Sequence, residues 1–378
     1  MRLLEFQAKR ILKDRGIPVP KGVLISSPED LKQITLPVVL KAQVPVGGRG
    51  KAGAIRRVNQ PKEAQTAVQE LFASTVKGYP VAALLAEEPV EIKREVYLAY
   101  LIDKQVNLPL LMASSAGGVD IEEVARSSPP QIAKKHVDPV LGLQDYMVRS
   151  LAKALRIDDT RSLWSLIQPM VTLFLEIDAS LVEINPLAIT SGGMVALDAK
   201  LILDDKAAYR HKELFETLQS EQKSLDRRKK TLPEELAEGT GVTYVPLDGD
   251  IGMIADGAGT GMLTLDLIHE FGGRAANFCE MGGLSNAETM EKAIGVILAN
   301  PRVKVLLIGL IGGMTRMDEM AEGIVQYIQK TRRDFPMAIR MVGTKADVGK
   351  AKLQEVGIEP FEDLSAAVRA AVEQAKGL

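Results

Sequence analysis

The chain has 378 residues, of which 46% are hydrophobic, 25% charged and 4% aromatic, and its formal net charge at pH 7 is −2. This length suits two or three domains, and the balanced charge gives no reason to expect a nucleic-acid partner. The single cysteine, Cys279, excludes a disulfide framework and a multi-cysteine metal site. The amino terminus is too charged for a signal peptide, and no apolar run reaches membrane-spanning length. We therefore expect a cytoplasmic location, or an organelle matrix after processing, and no membrane partner.

The first half of the chain predicts strands in irregular order with few helices between them. Apolar residues at Leu4, Ala8, Ile11 and Leu12 recur at helical spacing and predict an amino-terminal helix that ends near Gly16. Later helices are predicted at 61–74 and within 146–175, and strands at 36–40, 81–86, 92–102, 108–113, 181–189 and 194–198. This order is typical of an α+β sheet rather than of a repeated βαβ unit.

A glycine-rich stretch from Lys41 to Gly53 follows the strand predicted at 36–40. Arg49 and Lys51 are interleaved in it with glycines. Glycines let backbone N–H groups approach a polyanion closely, while the cations neutralise it. The spacing is not that of a P-loop, because no Ser or Thr follows Lys51. The stretch therefore indicates either a phosphate-binding loop or a flexible basic hairpin.

A second candidate site is the hairpin predicted from strands 181–189 and 194–198. Side chains alternate along a strand, so Glu183 and Asn185 face the same way, and the Gly-Gly turn returns Asp198 beside them. Three oxygen-bearing side chains without histidine or thiolate suit a hard cation such as Mg²⁺. The alternative is the polar outer face of a half-solvated hairpin. The Asn-Pro step inside an apolar strand argues against that alternative.

The charged segment 219–240 contains no buried-strand pattern, and its end predicts a domain boundary, with domains at 1–235 and 241–378. Strands then alternate regularly with helices. The strands are predicted at 251–255, 275–279, 303–309 and 337–342, and the helices at 260–271, 286–299, 316–331, 344–355 and 363–376. Such alternation predicts a parallel sheet wrapped by helices, with ligands at the carboxyl ends of the strands.

Three glycine turns follow strands of this second half. Asp256–Gly261 reads as a tight strand-to-helix turn and is a weak match to a dinucleotide fingerprint. Thr315 with Asp318, and Ser285 with Glu288, have capping-box spacing after double glycines. Two helix amino termini near one crevice favour an anion site. No histidine or cysteine stands in a nucleophile pattern, so the chain is expected to bind phosphates without a covalent nucleophile of its own.

Several motifs together resemble the β subunit of succinate–CoA ligase (succinyl-CoA synthetase, ADP-forming). They are Leu4-Glu-Phe-Gln-Ala-Lys9, Lys41 with the glycine-rich stretch to Gly53, Glu183-Ile-Asn-Pro-Leu187, Leu197-Asp-Ala-Lys-Leu201, Asp205 with Tyr-Arg-His211, and Gly312-Gly-Met-Thr-Arg316. The resemblance implies an ATP-grasp domain followed by a flavodoxin-like, doubly wound parallel α/β CoA-ligase domain. It also implies a reaction of acid, CoA and nucleotide through a phosphohistidine. That histidine belongs to a separate α subunit, which holds most of the CoA.

The resemblance also implies roles for individual residues. It implies that Lys41, Gly48, Arg49 and Gly50 bind the phosphates of ATP or GTP, and that Glu87, Val90 and Glu95 line the base and ribose. It implies that Asn185 and Asp198 coordinate Mg²⁺ and that Glu183 lies beside the visiting phosphohistidine. The carboxylic acid substrate is implied to bind at Asp256, Gly313, Met314 and Thr315.

The departures from the family pattern cluster at the acid site. Asp256 stands where the family usually has Asn, Glu280-Met281 where it has Asp-Val, and Met314-Thr315 where it has Ile-Val. A second carboxylate about 4 Å from a substrate carboxylate costs about 4 kcal/mol at an effective dielectric constant of 20. If Asp256 is ionised and unpaired, we therefore expect succinate to bind poorly and a related acid to be preferred.

Two further functions stay open from the residues alone. One is a self-contained ATP-grasp ligase that joins a carboxylate to an amine, and the other is a non-catalytic nucleotide-binding subunit. The first predicts turnover without a second chain, and the second predicts that changes at Lys41 and Asp198 leave the activity of a partner unchanged.

Overall fold

The structure is a computed structural model that describes residues 1–119, 121–228, 230–283, 285–331 and 335–377, with only the backbone described at Gln33 and Pro129. The chain forms two compact units that divide after Arg228. The domain ranges 1–235 and 241–378 stay a prediction. Within the described part of the chain, no helix is both long enough and apolar enough to span a membrane.

The first unit mixes helices with short antiparallel strands. Its helices are α1 (Glu5–Asp14), α2 (Pro61–Phe72), α3 (Ile121–Ser127), α4 (Asp145–Leu155), α5 (Thr160–Glu176) and α6 (Lys212–Leu225). Its strands are β1 (Gly22–Ile25), β2 (Val38–Ala42), β3 (Ile55–Val58), β4 (Thr75–Val76), β5 (Tyr79–Pro80), β6 (Leu84–Glu87), β7 (Arg94–Asp103), β8 (Leu108–Ser114), β9 (Ile132–His136), β10 (Ala179–Thr190), β11 (Gly193–Ala196) and β12 (Ala199–Leu203).

Two antiparallel sheets organise this unit. The smaller has the strand order β1-β6-β2-β3 and shares a buried core with α2. The larger has the order β11-β10-β7-β8-β9, and β12 pairs with β10 on the same side as β11. Leu98, Leu111 and Val182 of the larger sheet are buried with α4 and α5. The predicted hairpin at 181–198 is confirmed, because β11 and β12 both return antiparallel to β10.

The second unit is a mixed sheet covered by helices. Its helices are α7 (Leu232–Ala237), α8 (Ala258–Glu270), α9 (Ala287–Leu298), α10 (Met317–Thr331), α11 (Ala346–Glu355) and α12 (Leu364–Gly377). Its strands are β13 (Thr243–Pro246), β14 (Ile251–Ala255), β15 (Asn277–Glu280), β16 (Val305–Gly312) and β17 (Met337–Gly343). The spatial order is β13-β15-β14-β16-β17.

This second sheet confirms the predicted fold class. Its four parallel strands, numbered along the chain, lie in the order 2-1-3-4, which is the beginning of the flavodoxin-like order. Helices α9 and α10 share a core with one face, and α8 and α12 share a core with the other. The antiparallel edge strand β13 has no counterpart in the sequence prediction, because its exposed residues carry no alternating pattern.

Both predicted capping boxes of the second unit are wrong. The Asn286 side chain, rather than Ser285, caps α9 by accepting from the Thr289 N–H at 3.0 Å. The Ser285 hydroxyl donates to the carbonyls of Met281 and Gly282 instead. At α10, the Thr315 hydroxyl donates to the Gly283 carbonyl and the Asp318 carboxylate pairs with Arg316. The helices themselves begin within one residue of the predicted positions.

Candidate functional site

Lys41 lies at the carboxyl end of β2, as the apolar run before it predicts, and its side chain enters a buried ion cluster in the first unit. We call this the ion cluster; its members are Glu5, Lys9, Lys41, Arg49, Glu87 and Asp198. All but Asp198 are at most 9% exposed. Three cations and three carboxylates therefore share one site with no net formal charge.

Two lysines of the ion cluster contact the same acceptors. The Lys9 Nζ lies 2.8 Å from Glu5 Oε1 and 2.6 Å from Glu87 Oε1, and it donates to the Leu197 carbonyl at 2.6 Å. The Lys41 Nζ lies 3.1 Å from Glu5 Oε1 and 2.7 Å from Glu87 Oε2, and it donates to the same Leu197 carbonyl. Helix α1 supplies Glu5 and Lys9 from adjacent turns of one face.

Arg49 connects the glycine-rich stretch to the hairpin. One guanidinium nitrogen donates to Glu5, and the other donates to both carboxylate oxygens of Asp198 at 2.8 Å each. Both contacts join ionised groups, and such charge-assisted hydrogen bonds are stronger than those between neutral groups. Gly48 and Gly50 flank Arg49 at the surface, and Gly48 has a φ of 82°, a value that glycine adopts without strain.

Burial and neighbouring charges shift the pKa values within the ion cluster in different directions. Burial lowers the pKa of Lys9 although the Glu5 carboxylate opposes that shift, and burial together with Glu5 raises the pKa of Asp198. Burial alone would raise the pKa of Glu5, but Lys9, Lys41 and Arg49 outweigh it and hold that pKa well below its ordinary value. Burial alone would lower the pKa of Lys41, but the carboxylates of Glu5 and Glu87 raise it. Both side chains are therefore ionised at neutral pH.

Asn185 and Glu183 project from β10 near the ion cluster but have other partners. The Asn185 amide accepts from the Gly118 N–H at 2.8 Å and donates to the Val119 carbonyl at 2.9 Å. Glu183 lies 3.7 Å from Lys200. Burial raises the pKa of Glu183, and the Lys200 ammonium opposes that shift. The backbone N–H of Asn185 donates to the Asp198 carbonyl, so the two predicted metal ligands are neighbours.

The donor set around Asp198 fits Mg²⁺ that arrives with phosphates. Among the residues described, no group of three or more His, Cys, Asp or Glu side chains could hold a metal ion. Mg²⁺ keeps several waters and is commonly bound through one or two carboxylates and substrate phosphates. One carboxylate and one amide side chain on neighbouring backbone positions suit that mode, and not a site that binds metal alone.

The remaining predicted nucleotide residues lie in one segment of the chain that begins at Glu87, a member of the ion cluster. Glu87 ends β6 and turns its carboxylate toward the two lysines. Val90 is half-buried in the loop between β6 and β7. Glu95 is half-buried near the start of β7. All three thus belong to one continuous segment, 87–95.

In the second unit, Asp256 lies where the order of the parallel strands reverses. It follows β14, and its Oδ2 accepts from the Ile311 N–H of the adjacent strand β16 at 2.8 Å. Ligands of open α/β sheets bind at this switch point. Asp256 is 6% exposed, and its Oδ1 has no hydrogen-bond partner among the described residues. Burial raises the pKa of Asp256, which the Ile311 N–H only partly opposes.

The segment Gly313–Thr315 leaves β16 at the same edge of the sheet. Met314 is 75% exposed, whereas Thr315 is buried and bonded to Gly283. Thr344 donates to the Gly313 carbonyl at 2.9 Å and so fixes the loop from the β17 side. The Glu280 carboxylate already has partners, because it accepts hydrogen bonds from the Thr243 hydroxyl and the Gly282 N–H.

Sequence reasoning assigned no role to Glu5, Lys9, the Leu197 carbonyl, Thr344 or the loop at Gly118. A signal existed for the first two, because an i,i+4 Glu–Lys pair lies one position beyond the apolar stripe of α1. The others act through backbone groups or loop packing, for which side-chain patterns carry no signal.

Comparison with known proteins agrees with this architecture. Residues 2–189 match the family model of the ATP-grasp domain, and residues 254–373 match that of the CoA-ligase domain. An ATP citrate lyase of Methanothrix soehngenii, solved with citrate and coenzyme A, is 22% identical and has a similar fold, with a TM-score of 0.77 over 98% of this chain and 99% of that chain.

Two curated relatives align over 100% of both chains. The ADP-forming succinate–CoA ligase β subunits of Ignicoccus hospitalis and Pyrobaculum aerophilum are 42% and 41% identical to this chain. The chain therefore belongs to the family of ADP-forming succinate–CoA ligase β subunits and is an acid–CoA ligase subunit.

Proposed function

We propose that this chain binds the nucleotide for a two-subunit ligase that converts a carboxylic acid, CoA and ATP into acyl-CoA, ADP and phosphate. The observation that carries the proposal is the convergence of Lys41, Arg49 and Asp198 in the ion cluster. These residues come from three separate segments, and their groups are those that a nucleotide phosphate and its metal require.

The nucleotide, ATP or GTP, lies across the first unit in this proposal. Its phosphates contact Lys41, Arg49 and the backbone of Gly48 and Gly50. Segment 87–95 lines the base and ribose through Glu87, Val90 and Glu95. Glu87 contributes its main chain, because its carboxylate is held by two lysines.

Mg²⁺ is held by Asn185 and Asp198 in this proposal. When bound, it supplies neutralisation of phosphate charge. Asp198 contacts Arg49 in the structure. With the metal held by Asp198 and Asn185, the Arg49 guanidinium would be available to the phosphates.

The phosphoryl acceptor is a histidine of the α-subunit partner, which also holds most of the CoA. Burial raises the pKa of the Cys279 thiol to about 12, which makes it a poor nucleophile at neutral pH. This supports a nucleophile on another chain. Glu183, with its raised pKa and Lys200 nearby, is suited to orient the visiting histidine.

The acid, succinate or a related carboxylic acid, binds beside Asp256 and the loop Gly313, Met314 and Thr315. A protonated Asp256 donates a hydrogen bond to the substrate carboxylate, as an amide would, whereas an ionised one repels it. Burial raises the pKa of Asp256 and so extends the range of the neutral form to higher pH than for an exposed aspartic acid. Which acid is preferred therefore depends on pH as well as on shape.

The test is phosphoryl transfer in the complex with the α subunit. With γ-labelled ATP and Mg²⁺, we expect label on a partner histidine, followed by discharge in the presence of CoA and the preferred acid. Mono- and dicarboxylic acids are compared at acidic and at alkaline pH. Lys41→Ala should abolish labelling, whereas Lys32→Ala, at an exposed site, should not. Turnover by this chain alone with an amine, or labelling that survives Lys41→Ala, contradicts the proposal.

A further inference from the structure

Lys9 has no role in the site as proposed so far, yet it duplicates the contacts of Lys41. Both ammonium groups contact Glu5 Oε1, the Glu87 carboxylate and the Leu197 carbonyl. Lys9 is 4% exposed, and it comes from α1 rather than from a strand that carries predicted nucleotide residues. A second buried cation on the same three acceptors is not needed to satisfy them when Lys41 is in place.

The contacts of the two lysines require both to be ammonium groups with every N–H donor in use, even though burial lowers the pKa of Lys9. Each contacts three separate acceptors, and a neutral amine has only two N–H donors. Lys41 therefore cannot add a phosphate oxygen without leaving at least one of its present acceptors. Removing a buried carboxylate's cation without replacement is strongly unfavourable.

We propose that Lys9 is a positioning residue that releases Lys41 for the nucleotide. This inference rests on the proposed function, in which Lys41 binds the phosphates. When Lys41 turns to a phosphate, Lys9 stays on Glu5, Glu87 and the Leu197 carbonyl and keeps all three partnered. Lys9 itself does not touch the nucleotide.

The net charge of the ion cluster also predicts that loss of the Lys9 charge weakens nucleotide binding. With Lys9 present, three cations face three carboxylates. Without its charge, two cations face three carboxylates, so the site becomes a net anion and both Lys41 and Arg49 are retained by their carboxylates. A polyphosphate is then repelled by the net negative charge, and the N–H donors of Lys41 and Arg49 stay bonded to carboxylates.

The experiment is calorimetric titration of MgATP into the full chain. We expect Lys9→Gln to raise the Kd by about tenfold or more, and Lys9→Arg, which keeps the charge, to stay within about threefold of the wild type. Arg10→Gln is the matched control on the same helix, because it also loses an ion pair, to Glu221, but at the surface. It should leave the Kd unchanged.

A double variant separates charge from folding. Lys9→Gln combined with Glu5→Gln restores two cations against two carboxylates, but it leaves Lys41 as the only lysine on Glu87. We therefore expect partial recovery, with a Kd between that of Lys9→Gln and that of the wild type. A folded double variant that binds MgATP as poorly as the single variant overturns the inference. So does a Lys9→Gln Kd equal to that of Arg10→Gln.

Lys41→Ala distinguishes failure of this inference from failure of the proposed function. If Lys41→Ala weakens MgATP binding and Lys9→Gln does not, only the role of Lys9 is wrong. If Lys41→Ala leaves the Kd unchanged, the phosphate site itself is wrong, and the role of Lys9 falls with it.

Discussion

Two buried carboxylates, Glu5 in the first unit and Asp256 in the second, meet opposite surroundings. Glu5 is contacted by Lys9, Lys41 and Arg49. Asp256 accepts from the Ile311 N–H, the Arg340 guanidinium is the one cation that acts on it, and its Oδ1 has no hydrogen-bond partner among the described residues. Burial disfavours the charge of both, but only Glu5 has cations that outweigh burial. The partners of a buried acid, and not its burial alone, thus decide the direction in which its pKa shifts.

The largest expected effect is a loss of folding stability when Glu5, the carboxylate paired with three cations, is removed. Glu5→Ala leaves three buried cations short of a partner, so we expect the free energy of unfolding to fall by about 3–5 kcal/mol. Glu70→Ala, which removes an exposed ion pair with Arg56 from the same unit, should cost about 1 kcal/mol or less. Chemical denaturation of both variants measures the difference, and equal losses would show that the ion cluster is no stronger than a surface pair.

A second substitution, in the second unit, tests whether the acid site can be perturbed without changing nucleotide binding by the first unit. Gly343 has a φ of 107°, and a Cβ there would lie 2.2 Å from the Gly312 carbonyl oxygen. Gly343→Ala should therefore destabilise the second unit by about 2 kcal/mol or more and displace the loop at Gly313. We expect weaker discharge by the acid with an unchanged Kd for MgATP. A comparable loss of MgATP binding would contradict separate sites.

The pH dependence of stability should have opposite signs for the two carboxylates. The pKa of Glu5 is lowered on folding, so its contribution is present above its unfolded pKa, about 4.3, and is lost on acidification. The pKa of Asp256 is raised, so its contribution is present below its unfolded pKa, about 3.9, and is lost as pH rises through the folded pKa.

Asp256→Asn tests the predicted direction of the pH dependence for Asp256. The amide cannot ionise, so the stability of the variant relative to the wild type should increase as pH rises from about 4 to neutrality. Denaturation curves at several pH values measure the trend. A wild-type advantage that grows with pH would mean that Asp256 is ionised and paired, contrary to its surroundings in the structure.

The smallest expected effect concerns the amino-terminal cap of α9 in the second unit. Asn286→Ala removes the cap of α9 and should cost about 1 kcal/mol. Glu288→Ala removes only an exposed pair with Lys292 and should cost about 0.5 kcal/mol or less. The reverse order would favour the capping box predicted from the sequence.

The fold of the second unit was predictable because its apolar residues recur at regular strand and helix spacings. The alternation of strands and helices after residue 250 predicts each helix and strand of the parallel sheet to within a few residues. The edge strand β13 was not predictable, since its pairing with β15 depends on a neighbour and not on its own pattern. Cap residues were mispredicted because Ser285 and Asn286 are both good caps, and loop geometry chooses between them.

The candidate site was predictable only in part. Lys41, Arg49 and Asp198 could be selected because glycine spacing and strand alternation mark them. Their mutual contacts could not be predicted, since Arg49 and Asp198 are far apart in sequence and meet only through tertiary packing. The same holds for the contact between Asp256 and Ile311.

The most direct test of the central claim, that the ion cluster is the nucleotide site, is calorimetric titration of MgATP into the wild-type chain and Lys41→Ala, with Lys32→Ala as control. We expect binding by the wild type and the control, and a Kd raised by about 100-fold in Lys41→Ala, which loses a charge-assisted contact. Equal affinity in a folded Lys41→Ala variant would contradict the claim.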